Sequence, residues 1–267
     1  PQAGCKKSCC AEAWEDPEKG HLAASLGIVD PVSGERWIID ATPDLPAQLR
    51  MLDAIAPTQD TPGLSGILLT HAHIGHYTGL VHLGREVMGA EGVPVYAMPR
   101  MMAYLSSDGP WEQLVELGNI SLVPLAGGEA TALNERLSVT PLVVPHRDEY
   151  SETVGFVVSG PSHSVFYLPD IDKWGKWSTP IEQVIAGVDR AWLDGTFYAD
   201  GEIPGRPMSE IPHPFIAESV ERLGPLPDTE RSKVHFVHLN HTNPVLDADS
   251  QARSQVLEAG FGVAEEG

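Results

Sequence analysis

The chain has 267 residues, 37 acidic against 17 basic side chains, a formal charge of -20 and an isoelectric point near 4.8. Binding to phosphate backbones needs a net basic footprint, which argues against nucleic acid and anionic membrane surfaces as partners. No stretch approaches the roughly 18 consecutive apolar residues of a membrane span and no basic-then-apolar signal opens the sequence, so it reads as soluble and, without a Ser/Gly linker, as one domain over 1–267.

In chain order, the first feature is a cluster of all three cysteines, Cys5, Cys9 and Cys10, around Lys6 and Lys7. No later cysteine exists to pair with them, and an odd, clustered set reads as a metal knuckle, against reactive surface thiols or a vicinal disulfide. Adjacent Cys9 and Cys10 serve one ion only on a bent backbone. Zinc thiolates favour a reducing compartment, which points to the cytoplasm. Residues 26–30 and 36–40 read as strands of a hairpin turned by Pro31 and Gly34. Residues 44–52 read as a helix with Asp44 as N-cap and Pro46 in the first turn. The apolar run at 66–69 predicts a strand, residues 80–88 a helix and 93–97 a further strand. Residues 137–144, 153–158, 164–168, 190–194 and 233–237 carry the β-branched and aromatic residues of strands, and a last helix covers 249–259. The alternation predicts an α/β architecture of two sheets flanked by helices.

Three imidazoles, His71, His73 and His76, fall within six residues after the apolar run. The period of two points His71 and His73 the same way at a strand end, and His76 reaches back from the turn. Neutral imidazole is the commonest nitrogen ligand for zinc, and clustered imidazoles repel when protonated, so the spacing predicts a metal site.

The stretch Thr70-His71-Ala72-His73-Ile74-Gly75-His76 resembles the metallo-β-lactamase superfamily signature H-x-H-x-D-H, with Gly75 where that family has Asp. Val143-Val144-Pro145-His146, Phe166-Tyr167-Leu168-Pro169-Asp170 and Phe236-Val237-His238-Leu239-Asn240-His241 resemble its later motifs, in order. The Asp194-Gly195-Thr196-Phe197 segment, the 208–214 loop and His238-Leu239-Asn240-His241-Thr242-Asn243-Pro244 bring the closest likeness to the pyrroloquinoline quinone biosynthesis protein B branch. The resemblance implies an αββα sandwich with a metal centre at one edge. It also implies a first strand and Gly-rich turn upstream of Pro1, so a missing leader and an exported or periplasmic protein stay open.

The resemblance implies one ion on His71, His73 and His146 and a second on His76, Asp170 and His238, with Asp170 bridging. Gly75 removes a carboxylate from the second site, which favours a mononuclear state. Zinc suits these ligands, as do iron, manganese and copper. The same resemblance implies a structural zinc on Cys5, Cys9, Cys10 and His241, in a knuckle over 1–12. Asp170 and His238 are the expected catalytic pair. Asp194 either orients a metal-bound His or caps a turn, and His213 either lines the pocket mouth or lies on the surface. Arg147 and Tyr150 flank His146, where they position an anionic substrate or stay surface residues. Trp111, Trp174 and Trp177 form either a lid or ordinary core.

The expected activity is metal-dependent hydrolysis of a small ester, lactone, amide or phosphodiester. The alternative is an oxygen-using enzyme, or an accessory or carrier protein, in quinone cofactor biosynthesis that acts on a tyrosine-derived or peptide-derived precursor.

Overall fold

The computed structural model describes residues 1–203, 205 and 207–266; Gly267, the last residue of the expected domain, lies outside it. The chain sorts into two compact units, residues 23–162, and residues 1–22 with 163–267.

The first helix, α1, is Ser8–Glu15. Strands β1 (Leu26–Val29) and β2 (Arg36–Ile39) form the expected hairpin, antiparallel, with Asp30 accepting the Val32 N–H in the turn. Helix α2 (Leu45–Ile55), strand β3 (Gly66–Leu68), the short helix α3 (Ile74–Tyr77), strand β4 (Val93–Ala97), helices α4 (Pro99–Ser107) and α5 (Trp111–Glu116) and strand β5 (Ile120–Pro124) follow. Strands β6 (Thr131–Ala132), β7 (Ser138–Val144) and β8 (Thr153–Ser159) are an antiparallel set. Then come β9 (Ser164–Leu168), α6 (Ile181–Ala186), β10 (Arg190–Asp194), α7 (Ile216–Leu223), α8 (Asp228–Arg231), β11 (Val234–Val237), α9 (Gln251–Glu258) and β12 (Gly262–Val263).

In the 23–162 unit the five strands run in the order β1-β2-β3-β4-β5, parallel from β2 onward. Strands buried on both faces read as continuous apolar runs, and all of Arg36–Ile39 and Gly66–Leu68 are buried. Leu45, Leu49 and Leu52 of α2 fall four and three residues apart and pack with Ile38, Ile67 and Val95 in this unit's core. In the other unit β9, β10, β11 and β12 are parallel neighbours. The carboxyl ends of parallel strands are where open α/β sheets hold ligands. Asp40 follows β2, Thr70 and His71 follow β3, Asp170 follows β9, Asp194 ends β10 and His238 follows β11.

Several expectations are corrected. β3 stops at Leu68, so His71 and His73 stand on the loop beyond it and His73 is the N-cap residue of α3. The expected helix at 80–88 is a 3-10 turn over Thr78–Leu83, closed by Gly84 in extended conformation (ψ 163°). Asp44 does precede α2, but its carboxylate accepts from the Ala23 N–H at 2.8 Å instead of capping the helix. Trp111 and Trp174 are buried, so neither belongs to a lid.

Candidate metal centre

In the 23–162 unit the site is built on one buried carboxylate. Asp40 has no exposed surface and a left-handed backbone (φ 69°) just beyond the end of β2. The Thr70 N–H donates to its Oδ1 at 2.8 Å, and the Thr70 hydroxyl lies 2.9 Å from both carboxylate oxygens. His76 Nδ1 lies 2.8 Å from Asp40 Oδ2.

A carboxylate only accepts, so these contacts fix the protons. The Thr70 hydroxyl spends its hydrogen on Asp40. The 2.9 Å contact between Thr70 Oγ1 and His71 Nδ1 is therefore donated by His71. His71 and His76 thus both carry the proton on Nδ1 and the lone pair on Nε2, the tautomer in which an outer carboxylate readies an imidazole for a metal.

His73 is held from the other side. Its Nε2 lies 2.9 Å from Glu149 Oε2, and this hydrogen bond from His73 pulls the Glu149 carboxyl below the usual carboxylate range. Donation to Glu149 leaves the lone pair on His73 Nδ1, which faces His71 Nε2 at 2.8 Å. Two lone pairs that close repel unless a positive charge joins them. Arg147 Nη2, 3.0 Å and 3.3 Å from the two ring nitrogens of His73, brings one such charge alongside. His146 stands beyond the end of β7, its ring 5.4 Å from His71 and 4.9 Å from His73, centroid to centroid. The ligand nitrogens of His71, His73 and His146 all lie within 4.8 Å of one another. Three convergent nitrogens, those of His71 and His73 with proton positions set by neighbours, fit a bound ion, in the three-ligand arrangement of catalytic rather than structural sites. Ser151 Oγ accepts from the Ala72 N–H at 2.8 Å and steadies the loop between His71 and His73.

Gly75, at the position where the motif has a carboxylate, sits in the first turn of α3, and a Cβ built there meets no atom within 4 Å.

In the other unit Asp170 Oδ1 lies 3.2 Å from His238 Nδ1, and His238 has a left-handed backbone (φ 63°). Asp40, Asp148 and His238 are the non-glycine residues with positive φ among those described, and all three border site residues, as strained backbone tends to. Asp194, fully buried, accepts from the Ile171 N–H, the Thr196 N–H and the Thr196 hydroxyl at 2.7–3.0 Å. Thr196 Oγ1 in turn lies 3.0 Å from His238 Nδ1. Asp194 therefore reaches His238 through Thr196, while its direct imidazole partner is His213, Nδ1 to Oδ2, at 2.7 Å.

The thiol sulfurs of Cys5, Cys9 and Cys10 and a ring nitrogen of His241 also lie within 4.8 Å of one another. Cys9 and Cys10 share the first turn of α1, a regular helix instead of the expected bent loop. The Lys7 backbone N–H pulls the Cys5 thiol down, whereas burial and the Cys5 sulfur push Cys9 up to about 11. Burial also lowers His241, which favours the neutral imidazole. Three thiols and one neutral imidazole are the donor set of a closed structural zinc site.

The sequence reading missed Asp40, Thr70, Glu149 and Thr196. A usable signal existed for Asp40, an acidic residue directly after the apolar run Trp37-Ile38-Ile39.

The family described as the beta-lactamase superfamily domain matches residues 35–239. Coenzyme PQQ synthesis protein B of Pseudomonas fluorescens (strain Pf0-1) is 29% identical over 297 residues, covering 100% of this chain and 94% of the relative. The protein of the same name from Nitrosococcus oceani is 28% identical over 300 residues, with the same coverage. Among solved structures, zinc-bound PqqB from Methylobacterium extorquens superposes with a TM-score of 0.83 at 24% identity, covering 100% of this chain and 94% of that one. A diphosphatase of the PhnP family gives 0.69 at 20% identity, covering 100% and 90%. These two structures carry the fold, and it is the expected α/β fold of mixed sheets and helices. With its motifs in order and its whole length aligned, the chain belongs to the beta-lactamase superfamily and is similar within it to the coenzyme PQQ synthesis proteins B.

Proposed function

We propose that this chain serves quinone cofactor biosynthesis as a metal-dependent enzyme acting on a small, tyrosine-derived or peptide-derived precursor, in the manner the relatives' names suggest. The observation that carries the reading is the pair of imidazoles, His71 and His76, whose tautomers are set by one buried carboxylate. His71, His73 and His146 would hold the ion, which would supply Lewis acidity and, were it iron, oxygen chemistry. Asp40 and Thr70 keep the imidazole lone pairs turned outward, and Glu149 orients His73. Arg147, half-exposed beside His73, is placed to hold an anionic group of the precursor. On the family pattern Asp170 and His238 remain ligand and catalytic residues, and Cys5, Cys9, Cys10 and His241 hold a structural zinc.

Hydrolysis ranks below this reading because Gly75 leaves the second metal site of the family pattern one carboxylate short. The test is metal content per chain on protein purified without added metal, for wild type, His73→Ala and Cys10→Ala, with oxygen uptake followed on a tyrosine-containing peptide. Two ions in wild type, each variant losing a different one, together with peptide-dependent oxygen uptake, is the expected result. Hydrolysis of a test ester without oxygen uptake would restore the hydrolase. Less than half an equivalent of metal, unchanged by His73→Ala, would end the metalloenzyme reading.

A further inference from the structure

The three thiols of the 1–22 and 163–267 unit are not equivalent. Cys9 is exposed and Cys5 half-buried, whereas Cys10 is only 1% exposed. The two that solvent reaches are also a close pair, with Cys5 Sγ and Cys9 Sγ 4.0 Å apart. Protein contacts set this approach. The Trp14 indole N–H, from the far end of α1, donates to the Cys5 carbonyl at 3.0 Å, and the Cys5 N–H donates to the Gln2 carbonyl at 3.0 Å. Cys5 is thereby held against the helix whose first turn carries Cys9.

Solvent access and a thiol alongside are what a redox-responsive cysteine needs. A disulfide needs its sulfurs to close to about 2.05 Å, which from 4.0 Å lies within the swing of two side chains, one of them on a loop. The other pairings are worse. Cys9 and Cys10 are neighbours in a regular helix, where successive side chains point about 100° apart, and burial shuts Cys10 off from a dissolved oxidant.

We propose that Cys5 and Cys9 form a site of reversible oxidation by hydrogen peroxide and related small peroxides. In the first step one thiol of the pair takes an oxygen atom from peroxide and becomes a sulfenic acid, while the other peroxide oxygen leaves as water. In the second, the partner sulfur displaces the hydroxyl, the sulfur–sulfur bond forms, and the thiol hydrogen leaves in a second water. Two electrons pass from the two sulfurs to the peroxide, and a dithiol reductant reverses the change. The consequence rests on the structural zinc proposed above. The link takes two of its four donors, and Cys10 with His241 is too small a set to keep the ion. His241 lies three residues beyond His238, so the same oxidation releases the stretch that carries His238 from its tether to α1.

The test treats the full chain, zinc-loaded and zinc-free, with a slight excess of hydrogen peroxide. Alkylation and peptide mass spectrometry read the thiols while a chromogenic chelator follows released zinc. Trypsin cuts after Lys6 and Lys7, so a Cys5–Cys9 link joins two otherwise separate peptides, and fragmentation tells Cys9 from Cys10. The expected result is a Cys5–Cys9 link with Cys10 still open to alkylation, release of about one equivalent of zinc in step with the link, and recovery of all three thiols on reduction. Cys9→Ser should lose the link and zinc-free Cys10→Ser should keep it. Thiols that peroxide leaves unreacted, a link through Cys10, sulfinic acid formed without any link, or zinc that stays bound once the link has formed would each overturn the proposal, and none of these readings needs a variant to fold. Wild type that takes up no zinc at this cluster yet forms the link would end the structural-zinc reading and leave the Cys5–Cys9 site standing.

Discussion

The two units solve one problem with the same parts. In each, a fully buried aspartate at the end of a strand, Asp40 or Asp194, holds one imidazole directly and a second through a threonine hydroxyl. The imidazoles differ. In the 23–162 unit both belong to one seven-residue motif, His71 and His76, and further imidazoles stand close by. In the other unit His238 belongs to the pattern and His213 comes from a proline-flanked loop with apolar neighbours. The same carboxylate–threonine device thus orders two histidines of the family motif in one place and, in the other, one motif histidine and one from a proline-flanked loop.

The strongest way to break this parallel is to remove each carboxylate. Asp40→Ala strands three donors and Asp194→Ala four, so each should lower stability by about 3–5 kcal/mol in denaturant unfolding. Their metal readouts should part: Asp40→Ala should weaken the ion at His71, His73 and His146 by about 10–100-fold in a competitive chelator titration. Asp194→Ala should leave that affinity within about twofold on the same assay, and an equal loss would mean that the two devices do not act separately. Next in size, Cys10→Ser should remove one equivalent of zinc by mass spectrometry without touching the ion that His73→Ala removes. A smaller effect is expected of Thr70→Val, which frees the His71 tautomer and leaves Asp40 short of a donor. It should cost about 1–2 kcal/mol and roughly tenfold in metal affinity, and the His71 nitrogen-15 pattern should lose its Nδ1 proton preference.

The smallest effect belongs to an ordinary ion pair of the 1–22 and 163–267 unit. Arg222 donates to Glu182 at 2.7 and 3.1 Å and holds its carboxyl below the usual carboxylate range. A lowered folded value means that the stabilisation is complete above the unfolded pKa of about 4.3 and is lost as pH falls through the folded value. Both side chains are about a third exposed, so Glu182→Gln should cost no more than about 0.5 kcal/mol at neutral pH and nothing at the acid end, by unfolding midpoints across pH.

The motif at 70–76 was legible because its histidines are neighbours in sequence, and strand and cysteine signals were legible for the same reason. What escaped was long-range. Asp40 meets Thr70 thirty residues away, and Glu149 meets His73 across seventy-six. No local pattern reports such pairs, although a sharp turn after a buried run marks where one begins. β5 escaped because its burial does not alternate, and the helix expected at 80–88 failed at Gly84, where the chain turns extended. The roles of Asp194 and His213, each left open between two readings, needed the distance between them.

Gly75 gives the family signature of this chain an unusual reversibility. A side chain there would project into open space from a regular helical turn, so aspartate can enter without any neighbour giving way. A glycine codon lies one or two bases from an aspartate codon. The full acidic motif and its shortened form are therefore at most two mutational steps apart in this scaffold, and the sieve between them is selection for chemistry rather than for folding.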